Sequence, residues 1–262
     1  MILFDTHCHI ADSAFDSDLP EVIDRFLQAG GRRAVVVADP CEEAPNQEKV
    51  FSLVESRDFL FGAIGVHPHN SIRYSDAVEK EMFSYLAREK CRLFGEIGLD
   101  YHYDLSPREV QREVFDRQLD LAYDLNIPVQ LHIREAHGDC MDMLRARAKS
   151  GRMPAGIMHC FTGSWESAKV YLDLGLYISL SGAVTFKNAP KLAEVAEKMP
   201  ADRLLSETDC PYMAPVPMRG KRNEPSFISY TVSKIAYLRG ESPDAAAETL
   251  YRNACRALSL EC

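Results

Sequence analysis

Short apolar runs rich in branched and aromatic residues alternate with amphipathic segments from one end of this chain to the other, and that alternation restricts the fold more than any other feature. Eight runs read as strands: Ile2–Asp5, Arg33–Ala38, Leu60–Val66, Arg92–Ile97, Val129–Ile133, Gly156–Cys160, Tyr177–Leu180 and Arg203–Glu207. Between them the 3.6-residue period predicts helices over Leu19–Gln28, Glu43–Glu55, Asp76–Glu89, Pro107–Leu125, Ala136–Ala148, Trp165–Leu174 and Ala189–Lys198. Ser226–Leu238 and Ser242–Leu258 follow the last strand and either cap the sheet or form a dimer face. Eight strands joined through helices by short links predict one α/β domain, residues 1–262, with a parallel sheet. A closed (β/α)8 TIM barrel uses that count most simply, with an open sheet as the fallback. At 262 residues the length suits such a barrel.

The composition, 46% hydrophobic and 26% charged, is that of a chain able to bury a large core. No apolar run approaches the ~18 residues needed to span a membrane, and the N-terminus has neither the basic region nor the cleavage site of a signal peptide. The eight cysteines form no Cys-x-x-Cys pair, which favours reduced thiols in the cytoplasm. A net charge of −9 argues against a broad basic surface that grips duplex DNA, yet leaves room for a nuclease whose metals and a few cations hold phosphates.

Ionisable residues interrupt the apolar runs in one consistent place, the C-terminal end of each strand. His7 and His9 follow the first strand two residues apart, so in an extended segment both leave the same face. Glu96 lies near the end of the fourth strand, His132 the fifth and His159 the sixth, and Asp209 follows the eighth. His67 follows the third. In a barrel these ends share one mouth. Buried carboxylates and histidines are costly unless paired or metal-bound, so packing alone accounts poorly for the set. Four histidines and two carboxylates are about what two divalent ions need, zinc, magnesium, manganese or a similar ion. The expected assignment is His7, His9 and Asp209 on one ion, His132 and His159 on the other, and Glu96 bridging. Bound ions bring water near neutral ionisation, and Asp209 is the candidate general base. Cys8 and Cys160 read as packing residues, His69 and His102 as ordinary loop histidines, and His137 carries no assignment.

These residues sit in stretches that, taken together, resemble the TatD family of metal-dependent deoxyribonucleases, within the amidohydrolase superfamily. The stretches are FDTHCH (4–9), GVHPH (65–69), GEIGLDYH (95–102), LHIREA (131–136), MHCFTGS (158–164), ETDCPYMAP (207–215) and RNEP (222–225), spread over essentially the whole chain. The resemblance implies a TIM barrel, a divalent-metal site on the six residues named above, and hydrolysis of DNA phosphodiesters. One departure is Glu135, where the family often has aspartate; every ligand position is kept.

Phosphodiester cleavage needs positive charge on the non-bridging oxygens. His67, Arg134 and Arg222, with Lys221, are candidates to hold flanking phosphates, and Glu207 to touch substrate, orient a ligand or pack. For Arg134 a structural ion pair is an equal reading, and for Lys221 a solvated charge is the stronger one. Trp165 and Tyr101 are candidates to stack on a splayed base, against the simpler reading of cavity wall. The leading function is a DNase acting on single strands or ends, because a recessed mouth cannot take a duplex interior; a monomer or weak oligomer is expected, with no membrane partner. The alternative is an amidohydrolase, lactonase or phosphoesterase of small molecules, many of which bridge their metals with a carbamylated lysine that Glu96 replaces here. A non-catalytic scaffold is the third, and six intact ligands count against it.

Overall fold

The computed structural model describes residues 1–42 and 46–262. Its eight strands are β1 (Leu3–Cys8), β2 (Gly31–Ala38), β3 (Leu60–Ile64), β4 (Cys91–Asp100), β5 (Val129–Arg134), β6 (Gly156–Met158), β7 (Tyr177–Leu180) and β8 (Leu204–Ser206). All pair in parallel in the order β1 to β8. The helices between them are α1 (Leu19–Gln28), α2 (Gln47–Glu55), α3 (Asp76–Leu86), α4 (Arg108–Leu125), α5 (His137–Ser150), α6 (Trp165–Asp173) and α7 (Pro190–Lys198), and α8 (Ile228–Arg239) and α9 (Pro243–Ala257) end the chain. This is the (β/α)8 arrangement that the alternation predicts. Of the helix expected over Glu43–Glu55, positions 43–45 lie outside the described residues. No helix among the described residues is long and apolar enough to cross a membrane.

Local chemistry sets several helix ends. The Ser75, Ser164 and Ser242 hydroxyls accept from the backbone amides of Val78, Ser167 and Ala245, capping α3, α6 and α9. α5 stops at Gly151, whose φ of 73° is open to glycine without a Cβ penalty.

Alternate strand residues build two cores. Val36, Ile64, Phe94 and Leu131 face outward against the helices, as part of the larger cluster. Phe4, Val35, Val37, Phe61, Leu93, Ile157 and Leu205 form a smaller cluster that fills the barrel interior, closed by Tyr251 and Cys255 of α9 and by Leu258 just after it. The last helix thus caps the floor. Above this apolar plug lies a buried polar layer in which Gln130 donates to the Thr6 carbonyl at 2.8 Å and the Thr6 hydroxyl lies 3.2 Å from that of Ser179.

Two strands break their own alternation just where the site begins. Leu3 and Cys8 both belong to the outer core although five residues apart, and the β1–β2 register slips between Asp5 and Cys8. Phe94 and Ile97 are both outer residues three apart, and the β4–β5 register slips between Gly95 and Ile97. An extra residue in a strand re-aims the side chains next to it. Here it turns His7 and Glu96 toward the barrel axis.

At the β1–β8 seam the ladder gives way to other bonds. Asp209 N donates to the His7 carbonyl (3.0 Å) and His9 N to the Cys210 carbonyl (2.8 Å), which draws the loop after β8 across the end of β1.

Candidate metal centre

A cavity of about 830 Å³ opens at the C-terminal ends of the strands, and its wall includes His9, His67, Glu96, His132, His159 and Asp209. His7 lies beneath it, fully buried. The histidine nitrogens and carboxylate oxygens point at one another. His7 Nε2 is 2.9 Å from His9 Nε2, and both lie 3.5–3.6 Å from Asp209 Oδ1. Glu96 reaches both sides: Oε1 is 3.9 and 3.8 Å from His7 and His9, while Oε2 is 2.9 Å from His159 Nε2 and 3.4 Å from His132 Nδ1. Donor atoms of His7, His9 and Glu96, of His7, His159 and Asp209, and of His67, Glu96 and His132 lie within 4.8 Å of one another in each trio. All six residues expected as ligands meet here, from strand ends up to 202 positions apart.

The donor set suits a divalent ion. Neutral imidazole with carboxylate is the chemistry of zinc, manganese, cobalt or nickel rather than of calcium. The surroundings also leave the right atoms free. His132 Nε2 is 3.1 Å from the buried Asp100 carboxylate, so that nitrogen carries the proton and Nδ1 presents its lone pair toward Glu96. His159 Nδ1 lies 3.3 Å from Glu207 Oε1, outside good hydrogen-bond geometry, and Nε2 faces Glu96. His7 Nδ1 is buried with no hydrogen bond. Burial, with His159 beside it, pushes the His7 pKa down to about 3, which keeps the ring neutral. Burial alone would raise Glu96, but the imidazoles packed round it, with His159 and His132 in contact with its Oε2, outweigh that and hold the carboxylate ionised.

His67 differs from the other four. Its Nδ1 accepts from the His69 amide at 3.2 Å, capping the turn Pro68–Arg73. A neutral imidazole with an accepting Nδ1 carries its hydrogen on Nε2. Burial, reinforced by His132, keeps this ring neutral. His67 therefore offers the cavity an N–H, which suits the phosphate contact expected of it better than a place among the ligands.

Arg134 lines the cavity, with its guanidinium 4.7 Å over the Tyr103 ring and no carboxylate partner among the described residues. The other two expected substrate contacts do not reach the cavity. Glu207 is fully buried behind the wall; it accepts the Cys160 amide and lies 3.3 Å from His159 Nδ1. That bond also secures Cys160 at φ 40°, a conformation costly for a residue with a Cβ. Arg222 forks onto Asp18 at 2.8 and 2.7 Å and lies over Phe15, because an arginine near a carboxylate pairs before it waits for a ligand. Trp165 packs against the core and the Tyr101 hydroxyl donates to Asp139, so neither lines the cavity. His102 pairs with Glu135 and His137 with Tyr171, away from the centre.

Several cavity residues lie outside the sequence expectations. Asp39 accepts from the amides of Cys41 and His67 and from Asn70. His69, read as an ordinary loop histidine, bonds Asp100 at 3.0 Å and lines the wall with Tyr103 and Tyr212. For Asp39 and for Asp100 below the wall, the signal was present, a carboxylate ending an apolar run in VVVAD and GLD.

The profile of the TatD related DNase family matches residues 4–259. The chain belongs to this family. It is 41% identical over 255 residues to the uncharacterized metal-dependent hydrolase YabD of Bacillus subtilis (strain 168), covering 97% of this chain and 98% of that protein. It is 33% identical over 263 residues to the 3'-5' ssDNA/RNA exonuclease TatD of Rahnella sp. (strain Y9602), with 98% of each covered. Among solved structures, the TatD homolog YJJV from Escherichia coli k12 superposes with a TM-score of 0.90 at 31% identity, over 99% of this chain and 98% of that one.

Proposed function

We infer that this TatD-family chain is a metal-dependent nuclease that trims single-stranded nucleic acid, DNA above all, from an end, with its 262 residues acting as one catalytic unit. The observation that carries this reading is the convergence of five histidines, Glu96 and Asp209 on one cavity at the strand ends. Two divalent ions are the expected complement: His7, His9 and Asp209 would hold one, His132 and His159 the other, and Glu96 both. Bound there, the ions would supply Lewis-acid charge and a water ionised near neutral pH.

The chain's own residues do the rest. Asp209 is the general base: burial opposes its charge, but His9 beside it outweighs that and holds its pKa below the usual range, so it is ionised and able to take a proton. His67 Nε2–H and the unpaired Arg134 fork are donors to phosphate oxygens. The recessed mouth admits a strand end and shuts out the interior of a duplex. A cytoplasmic setting is supported by eight free cysteines.

End-labelled single-stranded DNA, incubated with metal-stripped protein to which Mg²⁺, Mn²⁺ or Zn²⁺ is returned, tests the reading. Metal-dependent shortening that vanishes in Asp209→Ala supports it, and the ladders from each labelled end give the polarity. No shortening with any metal, in protein shown to hold two ions, sinks it. The acidic wall, with Asp12, Asp39, Glu42 and Glu135 against one arginine, favours a second reading in that event, a neutral small ester or lactone. A panel of such esters distinguishes the two.

A further inference from the structure

Among the described residues, the cavity wall holds two tyrosine rings and no other Phe, Tyr or Trp. They are Tyr103 and Tyr212, 55% and 59% exposed; the other exposed rings, Tyr123, Tyr230 and Tyr237, do not line the cavity. A tyrosine pairs a flat apolar face with a polar tip, which suits it to contact a ligand from a wet rim.

Each ring is fixed at a short offset from the candidate ligands. Tyr103 follows β4: its amide donates to Asp100 at 2.9 Å, and its ring meets His69 edge-on at 5.4 Å. Tyr212 follows Asp209: its amide donates to the Asp209 carbonyl at 2.9 Å, and its ring stands edge-on to His9 at 6.2 Å. In the strand order β1 to β8, the β4–β5 junction is half a turn from the β8–β1 seam. The rings therefore stand on opposite rims, with Glu96 and the histidines between them. Arg134 lies over one face of Tyr103 and His102 meets the ring edge-on at 4.9 Å, so with the ring still 55% exposed a base would stack on the face opposite the arginine. Arg134 spends no donor on a carboxylate, which leaves its fork for a phosphate beside that base.

We propose that Tyr103 and Tyr212 are stacking platforms for two unpaired nucleobases, one on each side of the scissile phosphodiester. The proposal rests on the nuclease reading above and says why that nuclease would require a single strand: paired bases are held in their stack by the partner strand and cannot spread onto two separate rings. Stacking on a ring tolerates any base, so the platforms select for unpaired state and not for sequence.

The test removes the same contact from either side. Oligonucleotides carrying one tetrahydrofuran abasic unit at the terminal or the penultimate position are compared with the intact strand, using wild type, Tyr103→Ala and Tyr212→Ala, each with its ion content verified. Each alanine variant is expected to raise KM about tenfold with a much smaller change in kcat. One abasic position should give wild type a similar loss, and joining it to the matching variant should add no further loss. Tyr→Phe variants, which keep the flat face, should recover most of the affinity. If an alanine variant fails to fold, Tyr→Leu keeps the bulk without the face and is expected to lose as much. Losses that multiply at every position, or phenylalanine variants as poor as alanine, overturn the platforms. Wild type that cleaves nothing removes the nuclease reading and the platforms together.

Discussion

Where β1 meets β8, the buried Asp5 carboxylate holds main chain: it accepts from the amides of His7 and Thr208 and from the Thr208 hydroxyl, and His7 Nδ1 is left without a hydrogen bond. Across the mouth, Asp100 holds rings as well as main chain: its Oδ1 accepts from the amides of His102 and Tyr103, while His132 and His69 both bond its Oδ2 through Nε2, at 3.1 and 3.0 Å. One half of the centre has its backbone fixed and its imidazoles tied down by little but neighbouring donors. The other has its imidazole orientation and tautomer set by the protein. The difference teaches that the two expected ions do not share one mode of support, and that carboxylates of equal burial beneath one site can do unlike work.

The largest expected effect comes from the residue that joins the halves. Glu96→Ala should lower kcat/KM about a thousandfold or more and reduce bound metal at both positions. Elemental analysis showing only one ion lost would break the view that Glu96 serves both. Next is Asp100→Asn, which should weaken metal binding by about 10–100-fold on the His132 side alone, because the ring it oriented can turn. A two-step metal titration resolves this, and equal weakening of both steps would erase the distinction between the halves.

Asp5→Ala acts on the other half and is expected to cost about 2–3 kcal/mol of stability, since it orphans two buried amides. Denaturant unfolding of the metal-free protein measures it, and a loss of ion on the β1–β8 side should accompany it. The smallest effect concerns Glu224, which clasps Arg25 at 2.8 and 2.7 Å and braces the loop after β8 against α1. Burial raises the Glu224 pKa, but Arg25 outweighs it, so the folded value lies below the usual 4.5. The stabilisation is therefore full above pH 4.5 and fades as pH falls through the folded value. Glu224→Gln should be less stable by about 1 kcal/mol at pH 7, with Arg25 partly in water, and the gap should close in acid.

Much of this was legible in one sequence because strands buried on both faces leave no ordinary place for a histidine or carboxylate. His7, His9, Glu96, His132, His159 and Asp209 each break such a run. The register slips at Asp5–Cys8 and Gly95–Ile97 were not legible, because a displaced residue leaves the composition of a strand unchanged. Nor was the fate of Arg222, since its partner Asp18 lies 204 positions away and no local pattern records the pairing. Glu207 carried the same signal, two residues before Asp209, and its full burial behind the wall is not written in that spacing. Asp39 and Asp100 obeyed the same rule as the ligands but carried no assignment, because they fall just past the expected strands Arg33–Ala38 and Arg92–Ile97.

The single arginine in the cavity wall also bears on how this protein should behave as ionic strength rises. A protein that neutralises many phosphates loses affinity steeply with added salt, in proportion to the ions it displaces, with a slope of about 0.7 per phosphate on a single strand. With Arg134 as the one lysine or arginine in that wall among the described residues, the protein's own share of that slope should stay near one phosphate's worth. Nucleic acid held mainly by ring faces and a few short contacts stays bound in brine that would strip it from a basic groove.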